Sequence, residues 1–233
     1  MRNYRLLFTA VLMAVALISF GQKGAKGPFV GSLTYAIEVE GENIGAAEKA
    51  QMPTSITIHS NGSKTRAEVI SPMYSIINII DNKDGSGTML FDAEMLGIKY
   101  AISTTKEDLK EAKKELGDAT KDPEVKYIDE TKVIAGYKCK KVEVVIDDNG
   151  NVMEAFYTED IELSEEATEN IGIVMKGVKG TLLEFSTTAE NMTMKYICKE
   201  IKVGKPKLSL FVIPSDFEKI TMKEFRQKMG GGE

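Results

Sequence analysis

From residue 29 to residue 39 the chain alternates. Phe29, Gly31, Leu33, Tyr35, Ile37 and Val39 fall on one side, and Ser32, Thr34 and Glu38 on the other. Such a period of two is that of a strand with one wet face. The small and polar residues over 41–51 predict a loop. Residues 55–60 read as a second strand, and Asn61-Gly62 is a strong hairpin signal that returns the chain along 63–70. Strands follow at 75–80, 88–91 and 97–103, with the turn-rich 81–87 between the first two. Further strands are predicted at 125–128, 138–146, 152–158, 181–188, 192–203 and 208–213. Asp148-Asn149-Gly150-Asn151 makes a hairpin of the 138–146 and 152–158 pair, and Pro214 ends the series.

Two stretches break the alternation. In 105–116, Leu109, Ala112 and Leu116 recur at helical spacing. Thr105 with Asp108 forms a capping-box pattern, and Gly117 follows the end. This predicts a helix with a narrow apolar stripe, docked on another surface, with Lys110, Lys113 and Lys114 facing water. Thr221 with Glu224 opens a shorter helix whose apolar residues are Met222, Phe225 and Met229, and Ser164 is placed to cap a helical turn reaching about residue 171. Ten or eleven short strands separated by turns imply antiparallel pairing rather than βαβ units. The predicted fold is mainly β: a single large curved antiparallel sheet or incomplete β-barrel, with a helix on its concave face.

Residues 1–21 carry two arginines, an apolar block over 6–20 and a closing Gly21. They read as a secretory signal peptide, because the block is short for a bilayer span of roughly 20 residues. No cysteine lies near its end, which argues against a lipoprotein. The expected organisation is therefore 1–21 signal peptide, 22–28 flexible lead, 29–229 one β domain, and 230–233 disordered tail. The expected location is the periplasm or the exterior, with no transmembrane anchor after processing.

Charge narrows the partners. The chain has 30 basic and 35 acidic residues, for a net charge of −5. Loss of Arg2 and Arg5 with the signal leaves 28 against 35, a net charge of −7. A mildly acidic surface does not attract nucleic acid or anionic headgroups in general. The two cysteines, Cys139 and Cys198, are an even pair in an oxidising compartment. They are expected on neighbouring strands, close enough for a disulfide; the alternative is two buried thiols acting as small apolar residues.

No catalytic constellation stands out. His59 is the only histidine and reads as a solvated strand residue, leaving no basis for a zinc site or a nucleophile–histidine pair. The 81–87 segment fails the calcium-loop pattern because Lys83 occupies the third position and Gly85 comes early. The acidic run at 147–150 is a turn. The 177–180 segment is too short for a phosphate loop, and the sequons at Asn61 and Asn191 read as chance. No pair of acids is marked out for glycoside hydrolysis. No enzyme, metal or cofactor is expected.

The methionines carry the remaining signal. Met192, Met194, Tyr196 and Cys198 share one face of a strand, and Met89 and Phe91 share another. Flexible thioethers suit a surface that adapts to varied apolar ligands, although they also fill ordinary cores. The candidate ligand-binding residues are Leu109, Ala112 and Leu116 from the helix with Met192, Met194 and Tyr196 from the strand, lining one common cavity. The ligand would be an acyl chain, a lipid or another apolar small molecule. The competing reading is an envelope structural or interaction protein with a filled core, a protein partner and no ligand.

Three segments carry a resemblance. Residues 130–141 read ETKVIAGYKCKK, residues 156–161 FYTEDI and residues 177–185 GVKGTLLEF. Their order resembles two related families of exported Bacteroidetes proteins, domain of unknown function 4412 (DUF4412) and GLPGLI. The first segment matches the shared pattern E-T-K-x-I-x-G-Y-x-C-x-K. The last keeps Gly177, Gly180, Leu183 and Glu184 of the GLPGLI frame but lacks its proline and second isoleucine, which favours the first family. The opening strand and the closing F-x-I-P of 211–214 are also similar. The resemblance implies a LolA/LolB-like fold, an incomplete antiparallel barrel that holds acyl chains under helices. It transfers no catalytic residues.

Overall fold

Leu33, Tyr35 and Ile37 are buried while Thr34, Ala36 and Glu38 between them are at least partly exposed. The alternation therefore sets which side of the first strand faces the core. The structure is a computed structural model and describes residues 27–41, 44–105, 107–108, 123–145, 152–164, 168, 173–189 and 192–229. The expected signal peptide and the tail lie outside these residues.

The strands are β1 (Val30–Gly41), β2 (Ser55–Asn61), β3 (Lys64–Ile70), β4 (Ser75–Asp81), β5 (Gly87–Ala93), β6 (Ile98–Thr104), β7 (Val125–Ile134), β8 (Tyr137–Val145), β9 (Val152–Thr158), β10 (Thr181–Ala189), β11 (Met192–Val203) and β12 (Glu218–Thr221). Among the described residues, the helices with both ends in view are α1 (Ala46–Lys49) and α2 (Met222–Met229); residues 107, 108 and 168 are also helical. All twelve strands form one open curved sheet in the order β12-β6-β5-β4-β3-β2-β1-β11-β10-β9-β8-β7. Two meanders, β2 to β6 and β7 to β11, are joined through β1, which pairs with β2 on one side and β11 on the other. The mainly β single-sheet expectation holds. The sheet is mixed rather than wholly antiparallel, because β12 pairs parallel to β6.

Register carries one face across the first half of the sheet. Tyr35 lies opposite Ile56, Ile56 opposite Val69, Val69 opposite Ile76, Ile76 opposite Phe91 and Phe91 opposite Tyr100. This is the inner face. Its Tyr35, Ile56 and Val69 join Leu33, Ile58, Val142, Leu183 and Phe185 in the main core. The outer face of β4 to β6 has a second, smaller core, in which Ile79, Leu90 and Ala101 are covered by Leu210, Phe211, Ile213 and Phe217.

That second core corrects one expectation. Residues 208–213 alternate like a strand, yet Leu208–Phe211 form a 3-10 turn laid across the outer face. Leu210, Phe211 and Ile213 pack against a sheet face instead of adding to an edge, while Leu208 and Val212 stay exposed, and Arg66 Nη1 donates to the Leu210 carbonyl at 2.8 Å. The chain then rounds the β6 edge as β12, a strand too short and polar to be read in advance. The strand expected at 125–128 runs on to Ile134. Its second half is mostly charged because it is a sheet edge, and its pairing shifts between Ile128 and Thr131. Charges and a bulge are common protection for an edge. The turn into β8 uses Ala135 and Gly136, both at positive φ, a two-residue hairpin without the usual Asn-Gly. The expected 41–51 loop contains α1.

Both capping boxes form. Asp108 Oδ2 accepts from Thr105 N and Oγ1, each at 2.7 Å, and Asp108 N donates to Thr105 Oγ1. Glu224 and Thr221 repeat the arrangement at the start of α2. Ser164 donates its hydroxyl to the Asn82 carbonyl at 3.1 Å, and the helical Thr168 donates its own to the Ser164 carbonyl at 2.6 Å; the rest of the turn expected there lies outside the described residues.

Candidate functional site

Period-two spacing puts Met192, Met194 and Tyr196 on one face of β11, and the ladder with β1 gives that face its neighbours. Gly41 lies opposite Met192, Val39 opposite Met194 and Ile37 opposite Tyr196. All three side chains are half-buried. Tyr196 stacks on Phe185 of β10, with centroids 4.7 Å apart and planes 9° from parallel. Its hydroxyl points back to Met194 Sδ at 3.8 Å. The strip is therefore apolar, rigid at Tyr196 and adaptable at the two thioethers. The other expected lining residues, Leu109, Ala112 and Leu116, lie outside the described residues.

The interior next to this strip is filled. Tyr35 is 1% exposed and donates its hydroxyl to the Leu182 carbonyl at 2.8 Å. Burial pushes its phenol well above the ordinary range. Cys139 and Cys198 are both buried free thiols. They sit on β8 and β11, separated by β9 and β10, so the expectation of neighbouring strands is corrected. Burial pushes Cys139 up to about 11 and Cys198 up to about 12. At neutral pH both are protonated and poor nucleophiles, and they behave as small core residues.

Two ionic groups lie on the opposite face. Glu184, one of the residues shared with the GLPGLI frame, is buried and accepts from Lys132 Nζ at 2.5 Å, with Lys195 Nζ at 3.4 Å. Burial alone would raise its carboxyl, but the two ammonium groups outweigh it and hold the pKa below the usual carboxylate value. Lys132 also lies over the Phe156 ring at 5.3 Å. On β2 and β3, His59 faces Glu68 at 3.8 Å, and Glu68 is ion-paired with Arg66. Burial lowers the His59 pKa; Glu68 pulls it up and Arg66 pushes it down. This histidine is a half-buried structural residue rather than a fully solvated one.

Two grooves open elsewhere. One of about 490 Å³ lies on the outer side of the sheet among Asp81, Asp84, Thr104, Phe211 and Ile213. Another of about 310 Å³ lies among Glu94, Lys99, Tyr100, Asp216 and Glu218. Neither is lined by Met192, Met194 or Tyr196. Among the described residues no cluster of three or more His, Cys, Asp or Glu is arranged to hold a metal ion. Among the same residues no helix is long and apolar enough to cross a membrane.

Away from this strip, the same inner face carries a contact that sequence reasoning missed. Phe225 of α2 meets Phe91 and Tyr100 edge-on across the inner face, at 5.7 and 6.4 Å. Phe225 was legible as an apolar helix residue. Its partners were not, because only the course of the chain around the β6 edge brings them together.

No protein family and no curated protein sequence matches the chain. The resemblance to domain of unknown function 4412 therefore rests on the sequence motifs alone. Similar solved structures include PNGF-II in a P21 crystal, at 16% identity and a TM-score of 0.47, covering 87% of this chain and 33% of that one. LprF from Mycobacterium bovis is similar at 11% identity and a TM-score of 0.32, covering 76% of this chain and 89% of that one. A β-barrel-like protein of domain of unknown function DUF1849 from Brucella abortus follows at 6% identity and a TM-score of 0.29, covering 78% of this chain and 100% of that one. This chain thus spans about a third of the length of PNGF-II.

Proposed function

We propose that this is an exported, non-catalytic protein of the periplasm or cell exterior that holds an acyl chain or comparable apolar ligand against the inner face of its sheet. Residues 1–21 act as a removable signal peptide, and the remainder works as one β domain. The observation that carries this reading is the half-buried strip of Met192, Met194 and Tyr196 beside Ile37 and Val39. A strip of this kind needs no precise polar contact. Each acyl methylene leaving water contributes about 0.8 kcal/mol, so half a chain supplies useful affinity.

A second reading has its own support. Leu33, Ile58, Val142 and Leu183 are fully buried in the core against which Met194 and Tyr196 pack, and neither groove reaches the strip. An envelope structural or interaction protein with a filled core would look the same. Titration with cis-parinaric acid, a fluorescent fatty acid, separates the two. The first reading expects saturable enhancement that Met194→Glu abolishes, and lipid recovered from the purified protein by denaturing mass spectrometry. No saturable binding and no lipid favours the second.

A further inference from the structure

The inner face at the β4–β6 end carries a shelf of rings outside the site proposed above. Tyr74 stacks on Phe91 at 6.3 Å, and Phe91 lies directly opposite Tyr100. Ile76 and Met89 extend the same face beside Phe91, and all five are half-buried. The shelf faces α2. Of that helix, Met222 and Phe225 are half-buried, whereas Lys223, Glu224, Arg226, Gln227 and Lys228 are exposed. Phe225 alone brings a ring to the shelf.

The ties holding α2 are slight. It is eight residues long, and isolated helices of that length are marginal in water. Its start is held by the exposed Thr221–Glu224 box. Arg226 attracts Asp108 electrostatically, and the end of the helix is held by Lys228, which pairs with Glu218 at 3.0 Å and lies over the Tyr100 ring at 4.9 Å. Exposed ion pairs of this kind are worth little. The preceding strap is tied more firmly. It has the Arg66–Leu210 bond, Lys99 paired with Asp216 at 3.1 Å, and Phe211 buried on the outer face. The helix can therefore lift while its root stays fixed.

We propose that the Tyr74–Phe91–Tyr100 shelf is a second apolar subsite for the acyl chain, and that Phe225 is a built-in occupant which the chain displaces. This inference rests on the ligand-binding reading above. The Phe225 ring marks the chemistry that the shelf accepts, a flat or linear hydrocarbon without polar contacts. In the absence of ligand the same contact keeps the rings from water.

The chain has no tryptophan, so Phe225→Trp introduces a single indole reporter in the full-length protein. Palmitate, which does not fluoresce, should shift its emission to the red saturably as α2 lifts. In parallel, Phe225→Ala should tighten cis-parinaric acid binding by roughly tenfold, equivalent to about 1.4 kcal/mol. Saturable probe binding with equal affinity in the natural protein and Phe225→Ala, with the indole unmoved, overturns the plug and leaves the proposed function standing. Absence of saturable binding in both proteins overturns both.

Discussion

Gly180→Ala should be among the most damaging single-methyl additions to this protein. Gly180 sits at φ +135° between the 173–178 segment and β10, and an added Cβ would lie 2.1 Å from the Thr158 carbonyl oxygen and 2.8 Å from its carbon. The obstruction is backbone, so no rotamer change relieves it. Two costs combine. A non-glycine residue at such a φ carries about 1–3 kcal/mol of strain, and forcing extra volume into a packed site adds about 1–3 kcal/mol. Relief by displacement would pull apart the facing Thr181 and Thr158 and stretch the 2.9 Å bond from Thr181 Oγ1 to the Ile161 carbonyl. The expected loss is about 3–5 kcal/mol. For a chain of this size that lowers Tm by about 10 °C. Gly97→Ala is the control. Its φ of +65° is also left-handed, but nothing lies within 4 Å of the added Cβ, so it should cost only about 1 kcal/mol. Urea unfolding followed by far-UV circular dichroism measures both. If Gly180→Ala falls within 1 kcal/mol of Gly97→Ala, the close approach to Thr158 is not what requires glycine there.

Other outcomes follow from the buried polar groups. The depressed Glu184 pKa means that its contribution is present above the unfolded carboxylate pKa and is lost as pH falls through the folded value. The stability gap between the natural protein and Glu184→Gln, about 2 kcal/mol at neutral pH for a buried charge-assisted bond, should therefore close on acidification below about pH 4; a gap constant with pH would refute this. Tyr35→Phe should cost about 1–2 kcal/mol by removing the buried bond to Leu182, read as a shift in the urea midpoint without a change in slope. Cys139 and Cys198 should resist a thiol reagent in the native state and both react after unfolding without reductant; no reaction after unfolding would mean that they are bonded to each other.

What was legible in the chain had short-range causes. The alternation around Leu33, Tyr35 and Ile37, the Asn61-Gly62 turn and the two Thr-led capping boxes each depend on a few neighbouring residues, and each forms as expected. The face shared by Met192, Met194 and Tyr196 was legible for the same reason. What was not legible depends on pairing across the fold. The charged half of β7 carries no apolar pattern because an edge strand has one partner. Residues 208–213 are apolar like a strand, but Leu210, Phe211 and Ile213 cover a second core from a 3-10 turn, a placement that only the opposite sheet face dictates. Cys139 and Cys198 look like partners in sequence, but two intervening strands enter the sheet between them. Phe225 finds Phe91 and Tyr100 only because the chain crosses the outer face and returns over the inner one.

The central place of β1 also bears on how the molecule is made. Its partners are β2, the next strand in the chain, and β11, almost the last, so that Gly31 lies opposite Val203. The first meander is built from neighbouring hairpins and closes short loops, whereas the second includes the longer 159–180 connection between β9 and β10. Joining them requires one long loop to close, and pairings of such high contact order fold slowly. A chain emerging from its N-terminus has β1 in hand long before β11 exists. Until then β1 presents one bare edge, with Leu33, Tyr35 and Ile37 uncovered on that side. That interval is when strand addition from another molecule competes with the native partner.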